Sequence, residues 1–187
     1  MSKKQILFFA PLALFFAMAV MLYTGLGKDP TELDSQLIGK PLPKFSKTLL
    51  HDESKTITEK NIQGPALVNV FASWCPACYH EHPYFMQLSQ SELVKSNGLR
   101  IYGLNYKDQR EKGLKFVNDL GNPYNEIIFD NNGRLGIDMG VYGAPETFVI
   151  NSKNEIVYRH VGIVNQGVWE TILKPKIFPE NLESKEK

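Results

Sequence analysis

Hydrophobic and polar positions divide the chain into one long uncharged run and a series of short alternating ones. Residues Gln5–Leu26 carry no charge and follow directly on Lys3 and Lys4. About 20 helical residues at ~1.5 Å rise cross a ~30 Å hydrocarbon layer, so the run predicts one transmembrane helix over 5–26. The positive-inside tendency leaves residues 1–4 in the cytoplasm and puts everything after Lys28 on the far side. Ala17-Met18-Ala19 has the small-x-small form of a signal cleavage site. Apolar character nevertheless continues through Val20, Met21, Leu22 and Tyr23, and that length favours an uncleaved signal anchor. Export follows in either case.

A polar linker over 27–37 leads to a domain over 38–177, and a charged, aperiodic tail occupies 178–187. Within the domain, Lys44–Leu50 and Lys55–Thr58 flank a polar turn and predict a small hairpin. Ala66–Ala72 is a nearly continuous apolar run, as expected of a strand covered on both faces. Tyr84, Phe85, Leu88 and Leu93 fall at core spacing for a helix from Cys75 to about Lys95, kinked at Pro83. Arg100–Tyr106 reads as a strand, Glu111–Leu120 as a helix and Glu126–Asp130 as a third strand. After a Gly-rich turn segment reaching Gly143, Glu146–Asn151 and Glu155–Val161 form an antiparallel hairpin, and a last helix covers Asn165–Lys174. Crossover units followed by a terminal hairpin and helix predict an α/β/α sandwich with a mixed sheet, a thioredoxin-like fold, preceded by one transmembrane helix.

Composition excludes several functions and suggests none. The chain is 43% hydrophobic and 22% charged with a formal charge of +1, so it offers no basic field for nucleic acid and no acidic tract for a cationic partner. Its two cysteines are more informative. Cys75 and Cys78, in "ASWCPACYHEHP", are the only ones present. A disulfide closing so short a loop removes little entropy from the unfolded chain, which argues against a structural staple. A metal site built from Cys75, Cys78, His80 and His82 fails on geometry, because residues two apart on a helix face different sides.

A redox dithiol fits better. Cys75 falls in the first turn of a helix after a buried strand, where unpaired N–H groups and the helix dipole favour a thiolate. Pro76 suits that turn because its missing N–H costs nothing. Cys78 lies on nearly the same face, placed to resolve a mixed disulfide that an exposed Cys75 forms, and Trp74 shields one side of the sulfur.

The stretches "FASWCPACYHEHP", "GLNYKD", "GNPYNEIIFDNNGRLGIDMGVYGAPETFVI" and "YRHVG" resemble the CcmG/DsbE family, membrane-anchored thiol:disulfide interchange proteins of cytochrome c maturation. The likeness covers roughly residues 38–175. It implies a cis peptide at Ala144-Pro145 opposite the cysteines, a groove tyrosine at Tyr142, and acidic active-site residues at Glu81 and Glu146. Thioredoxin itself carries a buried carboxylate six residues before its first cysteine. This chain has Asn69 there, which leaves Glu81 and Glu146 as the replacements. A carboxylate near the sulfurs opposes the thiolate, against the dipole.

The resemblance further implies a periplasm-facing reductant held in a bacterial inner membrane by a single pass, with no cofactor besides the Cys75–Cys78 disulfide. Its implied partners are the haem-binding cysteines of apocytochrome c, or a maturation protein carrying their disulfide, and a membrane reductant of the DsbD/CcdA type. Two alternatives remain open at this point. One is a TlpA/ResA-like reductase for copper-centre assembly or general disulfide reduction, and the other is a non-catalytic metallochaperone. A C-P-x-C dithiol is also tunable toward oxidation.

Overall fold

The computed structural model describes residues 3–25 and 37–179, in two units divided after Leu33. In the first, helix α1 spans Lys3–Gly25 and continues through Pro11. Its described side chains run only between Pro11 and Tyr23, and among the described residues no helix is long and apolar enough to cross a membrane. The anchor expected over 5–26 therefore rests on the sequence. The linker expected over 27–37 lies outside the described residues except for Leu37, as does the tail over 178–187 except for Phe178 and Pro179.

The second unit opens with a hairpin of β1 (Ser46–Thr48) and β2 (Thr56–Thr58). A five-stranded sheet then forms from β3 (Ala66–Phe71), β4 (Arg100–Tyr106), β5 (Glu126–Asp130), β6 (Glu146–Ile150) and β7 (Ile156–Val161). Its order is β5-β4-β3-β6-β7, with β3, β4 and β5 parallel and β6 and β7 antiparallel to their neighbours, which makes the sheet mixed. Between the strands run α2 (Pro76–Gln90), α3 (Glu92–Ser96), α4 (Arg110–Leu120) and α5 (Arg134–Asp138). The chain closes with α6 (Gln166–Val168), a π turn over Trp169–Leu173 and α7 (Lys174–Ile177).

Three departures from the sequence reading have local causes. The helix expected to run on to Lys95 breaks at Ser91, whose side chain accepts from the Val94 N–H and starts α3 as its N-cap. α2 itself continues through Pro83. The segment read as a Gly-rich turn contains α5, because the buried Asp130 carboxylate accepts the N–H groups of Leu135 and Gly136. The closing helix is interrupted by the π turn, after which Pro175 enters the first turn of α7.

Strand alternation sorts the core into two layers. On one face Leu67, Phe71 and Val149 pack with Phe85, Leu88, Phe116, Trp169 and Leu173, from α2, α4 and the closing helix. On the other, Val68, Val70, Phe148 and Ile150 pack with Ile57, Leu135 and Met139, from the hairpin and the α5 region. The period of two places Asn69 and Thr147 toward α2, and Glu146 toward the opposite layer. That division decides what each polar residue near the cysteines can do.

Candidate active site

β3 ends at Phe71, and four residues later Cys75 takes the N-cap position of α2 with φ −97° and ψ 104°, followed by Pro76 in the first turn. The Cys78 N–H points at Cys75 Sγ, 3.1 Å away. The two cysteines form a disulfide with Cα atoms 5.3 Å apart. Cys75 Sγ lies 3.3 Å from the Ala144 carbonyl, and the Ala144-Pro145 peptide is cis, so the loop before β6 lies across the sulfur as the resemblance implied. A second cis bond, at Gly64-Pro65, has no counterpart in the sequence reading.

The expectation of an exposed nucleophile is corrected. In this disulfide form Cys75 is 2% exposed and Cys78 is buried as well. Tying Sγ back into the helix turn and laying Ala144 over it removes the sulfur from solvent. The exposed groups are its neighbours, Trp74 at 51% and Tyr142 at 73%, with Pro76 also at the surface.

Glu81, one helical turn beyond Cys78, lies in the interior rather than on a solvated helix face. Its Oε1 accepts from Asn69 Nδ2 at 2.8 Å, and its Oε2 accepts from the Val164 N–H at 3.0 Å. Burial pushes its pKa up to about 7, while those two hydrogen bonds pull the other way. The carboxylate thus meets the side chain that stands where thioredoxin has its acid. Asn69 Oδ1 in turn accepts from the Tyr124 hydroxyl at 2.7 Å, and Nδ2 also reaches Thr147 Oγ1 at 3.2 Å.

Glu146 is equally buried but belongs to the other face. Its Oε1 accepts from the N–H groups of Tyr142 and Gly143 at 2.9 and 3.1 Å, and its Oε2 pairs with Arg159 Nε at 2.8 Å. Arg159 stands opposite Phe148 across the β6–β7 ladder, and its guanidinium carbon lies 4.6 Å from the Tyr142 ring centroid. The acid expected beside the sulfurs is instead the anchor of the loop that carries Tyr142, Ala144 and Pro145. Strand alternation, which turns Glu146 away from α2, is the reason.

A further clamp has no signal in the sequence reading. Asp108 accepts from the Ser73 N–H at 2.6 Å, the Ser73 hydroxyl at 2.7 Å and Asn105 Nδ2 at 2.9 Å. Trp74 Nε1 donates to the Lys107 carbonyl at 2.9 Å, with Lys107 at φ +48°. The β4–α4 corner therefore holds both residues that precede Cys75. His80 is exposed, whereas His82 is buried with Nε2 2.9 Å from the Gly121 carbonyl oxygen, so the pair does point to different sides. Among the described residues, no three His, Cys, Asp or Glu side chains gather as a metal cluster would require.

A dithiol at a helix N-terminus, under a cis-proline loop and one turn from a buried acid, is built to exchange disulfides. Comparison with known proteins agrees. The family model described as Redoxin matches residues 37–173. This chain belongs to the Redoxin family. Within it, the chain is 48% identical over 181 residues to the thiol:disulfide interchange protein DsbE of Vibrio cholerae, covering 94% of each chain. It is 46% identical over 182 residues to the DsbE of Escherichia coli, again covering 94% of each. Among solved structures it is similar to a thiol:disulfide interchange protein of the thioredoxin family from Chlorobium tepidum, with TM-score 0.61 and 23% identity over 77% of this chain and 99% of that one. The first two likenesses, with the Cys75–Cys78 pair, make this Redoxin member a thiol:disulfide oxidoreductase of the DsbE type. The third speaks for the thioredoxin-like fold.

Proposed function

We propose that this oxidoreductase works as a membrane-anchored, periplasm-facing reductant in cytochrome c maturation, with the Cys75–Cys78 dithiol as its only redox group. The uncharged run Gln5–Leu26 behind Lys3 and Lys4 supports the anchor and its orientation in a bacterial inner membrane. The family resemblance supports the substrates, namely the haem-binding cysteines of apocytochrome c or a partner carrying their disulfide. It likewise supports recharging by a membrane reductant of the DsbD/CcdA type.

In the reduced form, the Cys75 thiolate attacks a substrate disulfide, forming a mixed disulfide and releasing one substrate thiolate. Cys78 then gives its proton to Glu81 and attacks Cys75 Sγ, which releases the second substrate thiolate. Two electrons leave the protein, Cys75–Cys78 closes, and the substrate thiolates take up two protons. Trp74, Pro76 and Tyr142 offer the exposed surface beside the sulfur, and Ala144 next to Pro145 presents its backbone to an extended substrate segment. Glu146 serves this step by holding the loop through Tyr142, Gly143 and Arg159.

The observation that carries the reading is the buried Glu81 carboxylate one turn from Cys78, a proton acceptor matched to neutral pH. A Cys78→Ser variant tests it, because that variant cannot resolve the mixed disulfide on Cys75. The expected adduct in a cytochrome c-producing cell is an apocytochrome or a maturation thiol protein. A copper-delivery protein as the main adduct overturns the assignment in favour of the TlpA/ResA-like reading.

A further inference from the structure

Glu81 is held by groups that differ in what they can reverse. Val164 offers a backbone N–H, a donor only. Asn69 offers a carboxamide, which presents its Nδ2–H to Glu81 while its Oδ1 accepts the Tyr124 proton. In this orientation both carboxylate oxygens face donors, which suits the ionised acid and leaves a protonated one with no acceptor for its own hydrogen. Turning the carboxamide by half a turn reverses the arrangement. Oδ1 would then accept from protonated Glu81 and from the Thr147 hydroxyl, and Nδ2 would donate to the Tyr124 oxygen.

The two orientations are not equivalent, and Tyr124 makes the difference. Its ring is fixed by stacking on Phe71, with centroids 5.0 Å apart, so only its hydroxyl hydrogen can turn. In the observed orientation that hydrogen is used by Asn69 Oδ1. In the reversed one it loses that acceptor inside a buried site, which is costly. We propose that Tyr124 and Asn69 are positioning residues for Glu81, with the Tyr124 hydroxyl locking the Asn69 carboxamide so that the carboxylate is held ready to take the Cys78 proton. This rests on the reading of Glu81 as that proton acceptor.

The surroundings leave these residues in control. Asn69 from β3, Thr147 from β6 and the Val164 backbone from the loop after β7 carry no charge and do not titrate. Tyr124, before β5, is held protonated by burial and by the Glu81 charge. On its own helix Glu81 has Cys78 one turn upstream, which does not titrate while in the disulfide, and Tyr84 one turn downstream, which burial holds protonated. His82 beside it turns its ring to Phe116 and the Gly121 carbonyl and is held neutral by burial. A change in the Glu81 titration therefore reports on the Tyr124–Asn69 pair.

The test uses the oxidised full chain in mild detergent, labelled at the Glu side-chain carboxyl carbon, with Glu81→Gln identifying the Glu81 signal in NMR. Tyr124→Phe keeps the stacked ring and removes only the hydroxyl. It is expected to move the Glu81 midpoint upward by about half a pH unit or more, roughly a threefold change in the ratio of ionised to protonated forms. Asn69→Leu, which removes the donor itself, is expected to move it upward by about one unit or more. An unchanged or lowered midpoint in Tyr124→Phe overturns the proposal, even if the variant melts earlier than the parent. Because the titration is read without turnover, that result is distinct from a failure of the reductant reading, which would appear as wild-type protein without disulfide exchange.

Discussion

Replacing Glu81 by Gln removes the charge from a site that resists it, and the consequence for stability can be worked out from the structure. Glu81 titrates near pH 7 in the folded protein, against an ordinary value of 4.5, and burial is the first cause. A carboxyl whose folded pKa is raised keeps its proton in the native state over a range where the unfolded chain has lost it. Its contribution is therefore fully present below about pH 4.5 and is lost as pH rises through about 7, because the unfolded state binds fewer protons in that window. Two to three pH units at ~1.4 kcal/mol each amount to roughly 3 kcal/mol, with little discount because the group is buried. The carboxamide introduced by Glu81→Gln stands in for the protonated acid, directing its carbonyl at the Val164 N–H and its amide at a reversed Asn69. Wild type is thus expected to lose about 3 kcal/mol relative to Glu81→Gln between about pH 5 and pH 8.

The difference between the two proteins is the proper readout. His82 and His160 have lowered pKa values, first through burial, so each contributes stability that grows as pH rises to its unfolded value. Their sign is opposite to that of Glu81, and they would mask it in a single curve. Urea unfolding of the oxidised chains, followed by tryptophan fluorescence at several pH values, isolates the Glu81 share because the histidines cancel. A difference that stays flat within about 1 kcal/mol across the window would refute the reasoning, since no carboxyl burdened by burial could leave so little trace.

Arg159→Met is expected to cost about 3–5 kcal/mol in denaturant unfolding, because it leaves the buried Glu146 charge without its cation. Adding Glu146→Gln should recover part of that loss, and a double variant no more stable than the single one counts against the loop-anchor role. Gly103→Ala brings a Cβ within 2.9 Å of Phe71 Cε1 and 3.1 Å of the Tyr124 ring. A thermal or urea melt is expected to show a loss of about 1–3 kcal/mol from overpacking, and a neutral effect would mean that the stack holding Tyr124 is looser than drawn.

The order of elements was legible because each apolar run is short, bounded and matched to one period. Ala66–Phe71 reads as a strand covered on both faces, and it is one. Local capping was harder to read. The segment after Asp130 reads as a turn because nothing in "DNNGRLG" announces that the Asp130 carboxylate will accept two N–H groups of a helix. The break at Ser91 could have been found, since Ser before Glu92 is a common helix start, but the apolar spacing on either side ran across it. Asp108 escaped because its partner Ser73 lies 35 residues away, and only strand pairing brings them together.

The cysteines announced their chemistry through their spacing together with the buried strand before them and the helix after them, whereas the two acids did not announce theirs. Glu81 and Glu146 both entered as acidic residues that the resemblance places at the active site. What separates them is the sheet. Asn69 pairs with Thr147 across β3 and β6, and the alternation that turns these two toward α2 turns Glu146 the other way. One carboxylate consequently meets an uncharged carboxamide and a backbone N–H, surroundings that allow a proton to come and go. The other meets an arginine and two loop amides, surroundings that satisfy its charge and hold the loop in place. A single residue of strand register therefore decides that Asn69 faces the acid on α2 while Glu146 faces the arginine and the loop. A register slip of one in β6 would turn Glu146 toward α2 and part its carboxylate from Arg159, which is why pairing, rather than residue type, separates the two acids.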